Sequence, residues 1–391
     1  MTDLPSPESR VPSPVFSAID HAMMARALRL AERGLFTTQP NPRVGCVIAC
    51  GDEILGEGWH QRAGESHAEV FALRVAGERA RGATAYVTLE PCSHQGRTPP
   101  CADALIDADV ARVVTASEDP NPKVVGAGLG RLRKAGISVE QGLLRDAARE
   151  LNRGFFSRFE RGRPWVRVKL AMSLDGRTAL ANGESKWITG EAARTDVQRW
   201  RARSSAILTG AGTARADDPR LTVRLRDSEP HPHPNPPLEG EGFQPLRVVL
   251  DARLDALPAD AHLLDGSAPT LVLHAHGAQP EDDRYRHVEL AGVAVDSKNR
   301  TDLAAALRLL SDRGVNELQI EAGPTLCGAL FEQGLVDELL LYVAPTLLGD
   351  RARSLLQLPQ LESMTDRADW LVIDHRMFGR DQRLLLRPAA L

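Results

Sequence analysis

The chain has 391 residues, enough for two or three domains, and its 42% hydrophobic and 26% charged residues exclude a fibrous or wholly disordered protein. Its 48 basic and 52 acidic side chains leave a net charge of −4, which argues against a nucleic-acid partner, so an anionic ligand would have to be held by local arginines. The longest apolar run, 339–348, is about half of the roughly 20 residues a membrane helix needs, so no membrane partner is expected.

Residues 1–14 (MTDLPSPESRVPSP) lack an apolar core and are expected to form a disordered leader, not a signal peptide. Five cysteines are too few for a disulfide framework and fit a reducing, cytoplasmic setting. Ile19, Met23, Ala27 and Leu30 recur at helical spacing and predict a helix over 16–33. A turn-rich TTQPNPR leads to a strand at 44–50, on which Cys46 and Cys50 read as core residues. A helix at 68–80 follows, then short β-branched strands at 83–89 and 110–116. The alternation predicts an α/β layered domain over 15–160, closed by a charged, helical, packed connector at 141–159.

A second α/β domain is expected over 161–391. Its strands fall at 165–171, 206–209, 246–250, 270–274, 317–321 and 339–344, its helices at 302–313 and 325–333, and two strands around a glycine turn end the chain. The Pro-rich segment 228–245 reads as a surface insertion.

The strongest chemical signal is His67-Ala68-Glu69, followed by Pro91-Cys92 and Cys101. One imidazole and two thiolates suit Zn2+, and three protein ligands leave the fourth tetrahedral position to water, the mark of a catalytic site. Glu69 then carries protons. Residues i and i+2 of a helix face different ways, so the site must wrap around a helix's first turn. The pattern is that of zinc deaminases, H-x-E…P-C-x-x-C, except that SHQGRTPP stands between the cysteines. In the second domain Gly210-Ala-Gly212-Thr213 follows a strand, as a phosphate-holding turn would, but no G-x-G-x-x-G fingerprint is present.

PNPRVGCV (40–47), HAE (67–69), LEPCSHQGRTPPC (89–101) and EDPNPKVVGAG (118–128) together resemble the deaminase half of a bifunctional family of riboflavin biosynthesis. That family is the diaminohydroxyphosphoribosylaminopyrimidine deaminase / 5-amino-6-(5-phosphoribosylamino)uracil reductases. KLAMSLDGRTA (169–179) with GESKWIT (183–189), LTGAGTARADDPRLTVR (208–224) and EAGPTL (321–326) resemble its reductase half. The likeness covers about residues 16–391, and the long Cys–Cys spacer is similar to the family's.

The resemblance implies an α/β fold throughout. The N-terminal domain would be a three-layer α/β/α, cytidine-deaminase-like fold, and the C-terminal one dihydrofolate-reductase-like. It implies Zn2+ and NADPH, a small phosphoribosylaminopyrimidine substrate and a homo-oligomer. It further implies hydrolytic deamination of 2,5-diamino-6-(5-phosphoribosylamino)pyrimidin-4-one, then reduction of the ribosyl group of 5-amino-6-(5-phosphoribosylamino)uracil to ribityl. By motif, Asn41, His60, Arg97, Thr98, Asp119 and Asn121 would contact the deaminase substrate. Asn41 and Asn121 also read as plain turn formers, and His60 as structural. In the reductase, Ala171, Trp187, Thr213 and Asp217 would touch the nucleotide, and Gly323, Pro324, Thr325, Leu326, Cys327, Gly328 and Ala329 its pyrophosphate. Ser185, Arg201, Leu221, Arg224 and Glu321 would hold the substrate, with Lys169 and Glu321 polarising the sugar. Arg201 also reads as a solvated face residue of a charged helix.

Two other readings stay open. A nucleoside or RNA zinc deaminase with a non-catalytic C-terminal domain predicts a two-residue Cys spacer and a basic face. A zinc-stapled scaffold predicts a fourth protein ligand and no need for Glu69.

Overall fold

A computed structural model describes residues 15–94, 99–224, 244–298 and 300–389. The expected leader, Arg97, Thr98 and all of the Pro-rich insertion but residues 244 and 245 lie outside the described residues. The chain divides into two compact units, one of Met1–Thr38 and Pro42–Asn152, the other of Gln39–Asn41 and Arg153–Leu391.

In the first unit, α1 (Ala18–Glu32) opens on a reciprocal cap. The Ser17 hydroxyl accepts from the Asp20 amide, and the Asp20 carboxylate accepts from the Ser17 amide. Strands β1 (Gly45–Cys50), β2 (Glu53–Trp59), β3 (Thr84–Val87), β4 (Arg112–Thr115) and β5 (Ser138–Gln141) form a sheet ordered β2-β1-β3-β4-β5. Pairing is antiparallel on both sides of β1 and parallel from β3 to β5. Helices α2 (Ala68–Ala76), α3 (Cys101–Asp107), α4 (Ala127–Lys134) and α5 (Arg145–Leu151) complete the unit. Strand periodicity sends Cys46 and Ile48 into one core, with residues of α2, α3 and α4, and Val47 and Ala49 into another beneath α1 and α5. Helices on both faces of one sheet make the three α/β/α layers.

The sequence pattern did not reveal β2, because Gly56 and Gly58 dilute its alternation. A Cβ at residue 58 would stand 2.3 Å from the Ala68 carbonyl oxygen. Glycine lets β2 lie flush against α2, which seats the helix's first turn on the sheet. The helix expected over 68–80 ends at Ala76 and continues as a 3-10 turn, Gly77–Ala80.

The second unit opens with α6 (Arg153–Arg161). The expected connector is thus two helices, parted at buried Asn152, whose side-chain amide exchanges two 2.8 Å hydrogen bonds with the backbone of Arg43. Then follow β6 (Trp165–Ser173), β7 (Arg177–Ala179), α7 (Glu191–Arg203), β8 (Ala206–Gly210), α8 (Ala211–Asp217), β9 (Leu246–Leu250), β10 (Thr270–Ala275) and β11 (Glu289–Val293). The chain closes with α9 (Leu303–Asp312), β12 (Glu317–Ile320), α10 (Pro324–Glu332), β13 (Glu338–Ala344), β14 (Arg353–Ser354), β15 (Trp370–Phe378) and β16 (Asp381–Pro388). A nine-stranded sheet runs β11-β10-β9-β8-β12-β6-β13-β16-β15, parallel up to β13, with the C-terminal hairpin antiparallel at its edge. β7 and β14 pair separately. Ala206 and Leu208 face a core shared with α9 and α10, while Ile207 faces the opposite one. The carboxyl ends of β6, β8 and β12 therefore open together between helices, which is where a parallel sheet places its ligand.

Candidate functional site

Flush packing of α2 on β2 brings the first cluster together. His67 caps α2 in extended conformation (φ −80°, ψ 169°), and Cys101 is the first residue of α3. His67 Nδ1 lies 3.2 Å from Cys101 Sγ and 3.5 Å from Cys92 Sγ, and the three donor atoms lie within 4.8 Å of one another. Such spacing suits a tetrahedral ion with Zn–N of about 2.1 Å and Zn–S of about 2.3 Å. A hydrogen bond from the Cys101 thiol, aided by His67, pulls the Cys92 thiol down to about 4, while the same contact raises Cys101. One thiolate is therefore already favoured, as a metal ligand must be.

Glu69, in the same helical turn, is 3% exposed, and its Oε2 has no hydrogen-bond partner among the described residues. Burial lifts its carboxyl to about 6, against the pull of His67. A buried, orphaned carboxylate oxygen beside an imidazole and two thiols fits a catalytic zinc centre and has no use in a structural staple. No fourth His, Cys or carboxylate joins the cluster among the described residues.

His60 stands edge-on to His67, ring centroids 5.3 Å apart, with its Nδ1 3.2 Å from the Ser66 carbonyl, and burial lowers its pKa. It braces the ligand ring. Asp119 is raised to about 6, chiefly by burial and then by the charges of Glu90 and Cys92, and its Oδ1 accepts from the Asn121 amide. Asn121 accepts through its own Oδ1 from the Lys123 amide, so that oxygen is spent on the turn. Asn41 belongs to Gln39–Asn41, which groups with the second unit. Sequence reasoning missed Glu90, a 4% exposed carboxylate that accepts from the amides of Asp119, Gly126, Gly128 and Leu129. Its signal was present: an acidic residue inside an otherwise apolar strand end, LEPC.

The second unit holds a cavity of about 1160 Å³ at the carboxyl ends of its central strands. It is lined by Lys169 and Ala171 from β6, Ser185 and Trp187 from the loop before α7, and Arg201 from α7. Thr213, Asp217, Leu221 and Arg224 line it from α8 and the segment beyond, and Glu321, Gly323, Pro324, Thr325 and Leu326 from the β12–α10 junction. Cys327, Gly328 and Ala329 are not among the lining residues. Cys327 and Gly328 are buried in α10, and a Cβ at 328 would meet the Gln357 carbonyl oxygen at 1.9 Å. Sequence reasoning missed Arg194, whose guanidinium lies 4.5 Å over the Trp187 ring, and Arg353, Leu355 and Gln357 from the β14 segment.

Arg201 donates to both carboxylate oxygens of Glu321, at 2.7 and 2.8 Å, and to the Thr222 carbonyl at 3.0 Å. At 8% exposed it is not a solvated face residue. Burial alone would raise the Glu321 carboxyl, but Arg201 overrides it and holds it at about 2. Burial lowers the nearby Lys169 ammonium, against the pull of Glu321. The Gly323 amide, at the cap of α10, donates to Thr213 Oγ1 at 3.0 Å, tying that helix's N-terminus to the turn after β8.

Comparison with known proteins gives each unit a family. Residues 17–117 match the cytidine and deoxycytidylate deaminase zinc-binding region, and residues 164–381 match the RibD C-terminal domain. The riboflavin biosynthesis protein RibD of Escherichia coli (strain K12) is 50% identical over 93% of this chain and 97% of its own. The solved structure of Acinetobacter baumannii RibD is 45% identical, with a TM-score of 0.85 over 95% of this chain and 99% of that one. A diaminohydroxyphosphoribosylaminopyrimidine deaminase/5-amino-6-(5-phosphoribosylamino)uracil reductase from Thermotoga maritima is 30% identical, with a TM-score of 0.80 over 95% and 99%.

Proposed function

The chain belongs to the RibD family of riboflavin biosynthesis proteins, and from that premise we propose which reaction each site performs and with which residues. It is a bifunctional enzyme with a zinc-dependent deaminase domain followed by an NADPH-dependent reductase domain. The first unit deaminates 2,5-diamino-6-(5-phosphoribosylamino)pyrimidin-4-one, and the second reduces the ribosyl group of the product to ribityl. The substrates named for the Thermotoga maritima relative support this reading. The RibD C-terminal match disfavours a nucleoside or RNA deaminase with an inert second domain.

His67, Cys92 and Cys101 would hold the zinc, which would supply the Lewis acidity that makes water nucleophilic near neutral pH. Glu69 accepts one proton of the attacking water at Oε2 and passes it to the ring nitrogen, then carries that water's second proton to the departing amine. Water's oxygen becomes the new carbonyl and ammonia leaves. By motif Asp119 contacts the pyrimidine, with His60 packed edge-on against His67. Asn41, Asn121, Arg97 and Thr98 complete the substrate contacts by motif.

In the reductase cavity the N-terminus of α10, from Gly323 to Leu326, takes the pyrophosphate of NADPH. Trp187, Thr213, Asp217 and Ala171 border the rest of the nucleotide. Ser185, Leu221 and Arg224 face the phosphoribosyl group. Glu321, held ionised by Arg201, accepts hydrogen bonds from the sugar and cannot be the acid near neutral pH. Lys169, whose ammonium is made more acidic by burial, supplies the proton that accompanies hydride transfer. The free cysteines fit work in the cytoplasm, and a homo-oligomer is the family's habit; among the described residues no helix is long and apolar enough to cross a membrane.

The observation that carries the deaminase reading is the unpartnered Glu69 oxygen beside the three ligand atoms. Glu69→Gln tests it. Ammonia release is expected to fall by roughly 10²–10⁴-fold while metal analysis finds the zinc retained. A variant that releases ammonia at the parental rate, or loses its metal, contradicts the reading.

A further inference from the structure

We propose that Glu90 is a positioning residue for deamination, fixing the segment that carries Asp119 against the turn that carries Cys92. The inference rests on the reading that Asp119 faces the pyrimidine.

The geometry begins at α4. Its cap, Gly126, has φ +72° and no side chain to receive the first amides of the helix. Those amides need an acceptor, since no earlier turn supplies carbonyls to them. Glu90 supplies it from another part of the chain. Its Oε1 accepts from Gly128 at 2.9 Å and Leu129 at 3.3 Å, and its Oε2 from Gly126 at 3.0 Å. A buried carboxylate at a helix N-terminus is favoured by the helix dipole as well as by these bonds. The fourth bond carries the argument to the site: Oε2 also accepts from the Asp119 amide at 3.3 Å. One carboxylate therefore holds both ends of the segment from Asp119 to Leu129.

The other side of the clamp is the ligand turn. Glu90 is joined to Cys92 through Pro91, whose carbonyl oxygen would stand 1.9 Å from a Cβ at residue 128. Backbone thus lies on backbone there, with no side chain to take up slack. The Glu90 amide itself donates to the Ser117 carbonyl at 2.9 Å, which fixes where the carboxylate points. Removing the carboxylate frees Asp119 from the metal-ligand turn without touching any ligand atom.

The test uses the full-length zinc enzyme. Glu90→Gln turns an NH2 group toward two of the amides it now accepts from. We expect its KM for the diaminopyrimidinone to rise roughly tenfold or more, with kcat changed less, zinc content kept, and reduction of the deaminated intermediate at the parental rate. Glu90→Asp keeps the charge and should recover part of the KM, and it carries the same test if the glutamine variant is insoluble. A merely structural glutamate is separated by a double-mutant cycle. Asp119→Asn alone should raise KM, and in that background Glu90→Gln should add less than about twofold. Additive effects, an unchanged KM for Glu90→Gln, or loss of zinc would overturn the inference. An unchanged KM for Asp119→Asn alone would instead overturn the Asp119 reading on which it rests.

Discussion

At the scale of single residues, two carboxylates are driven in opposite directions by their surroundings. Burial of Glu69 outweighs the pull of His67 and lifts its carboxyl to about 6 before any metal is counted, so it is poised to exchange protons. Glu321 is also buried but gripped by Arg201, and at about 2 it remains an acceptor. The contrast has a consequence for stability. Glu321 is lower in the folded chain than the usual value of about 4.3, so its contribution is complete above that value and lost as pH falls toward about 2. Arg201→Met should cost up to about 3–5 kcal/mol at neutral pH, because it leaves the Glu321 carboxylate with only the Gln319 hydrogen bond and the Lys169 charge. The cost should shrink near pH 3, where the orphaned group is protonated. Denaturant unfolding at the two pH values checks this, and an equal loss at both would contradict the assigned pair.

The cluster of His67, Cys92 and Cys101 was legible in the sequence because metal chemistry fixes residue types at recognisable spacing. Glu90 left only a faint sign, an acidic residue in an apolar stretch, because the helix it caps begins far along the chain, and Arg194 left none, because the loop between it and the Trp187 ring has no period that brings the two together.

At the scale of elements, legibility followed side-chain periodicity. α1 and β1 carry full patterns and both fall where those patterns place them, except that Cys50, read as a core residue, is exposed at the end of β1. β2 was hidden by the glycines that let it touch α2, and β14, two residues long, has no period to read. The residues that erase the pattern are the ones that set the site's geometry. Gly128 shows this again: in sequence it belonged to a glycine-rich run, and in the fold it lets α4 rest on the Pro91 carbonyl. Gly128→Ala places a carbon 1.9 Å from that oxygen, and no rotamer change relieves a clash with backbone. Deamination should fall by roughly tenfold or more, with the thermal transition of the protein lowered, while reduction of the deaminated intermediate continues. Unchanged ammonia release would show that α4 can shift at no cost to the site.

At the scale of the whole molecule, the sequence pointed to two α/β units of different chemistry, and the order of the nine-stranded sheet stayed hidden. That order rests on pairings between distant segments, such as β6 lying between β12 and β13, which no local pattern encodes. Each unit has its own cores and its own candidate site, so the two reactions should separate. The most direct measurement follows nicotinamide absorbance and ammonia together, in the parental enzyme and in Cys92→Ser, whose ligand set is broken. Given the diaminopyrimidinone, the parental enzyme should release ammonia and consume NADPH in equal amounts. Cys92→Ser should do neither, yet should oxidise NADPH at the parental rate once the deaminated intermediate is supplied. Ammonia released by Cys92→Ser at the parental rate would contradict the three-ligand zinc centre on which the account depends.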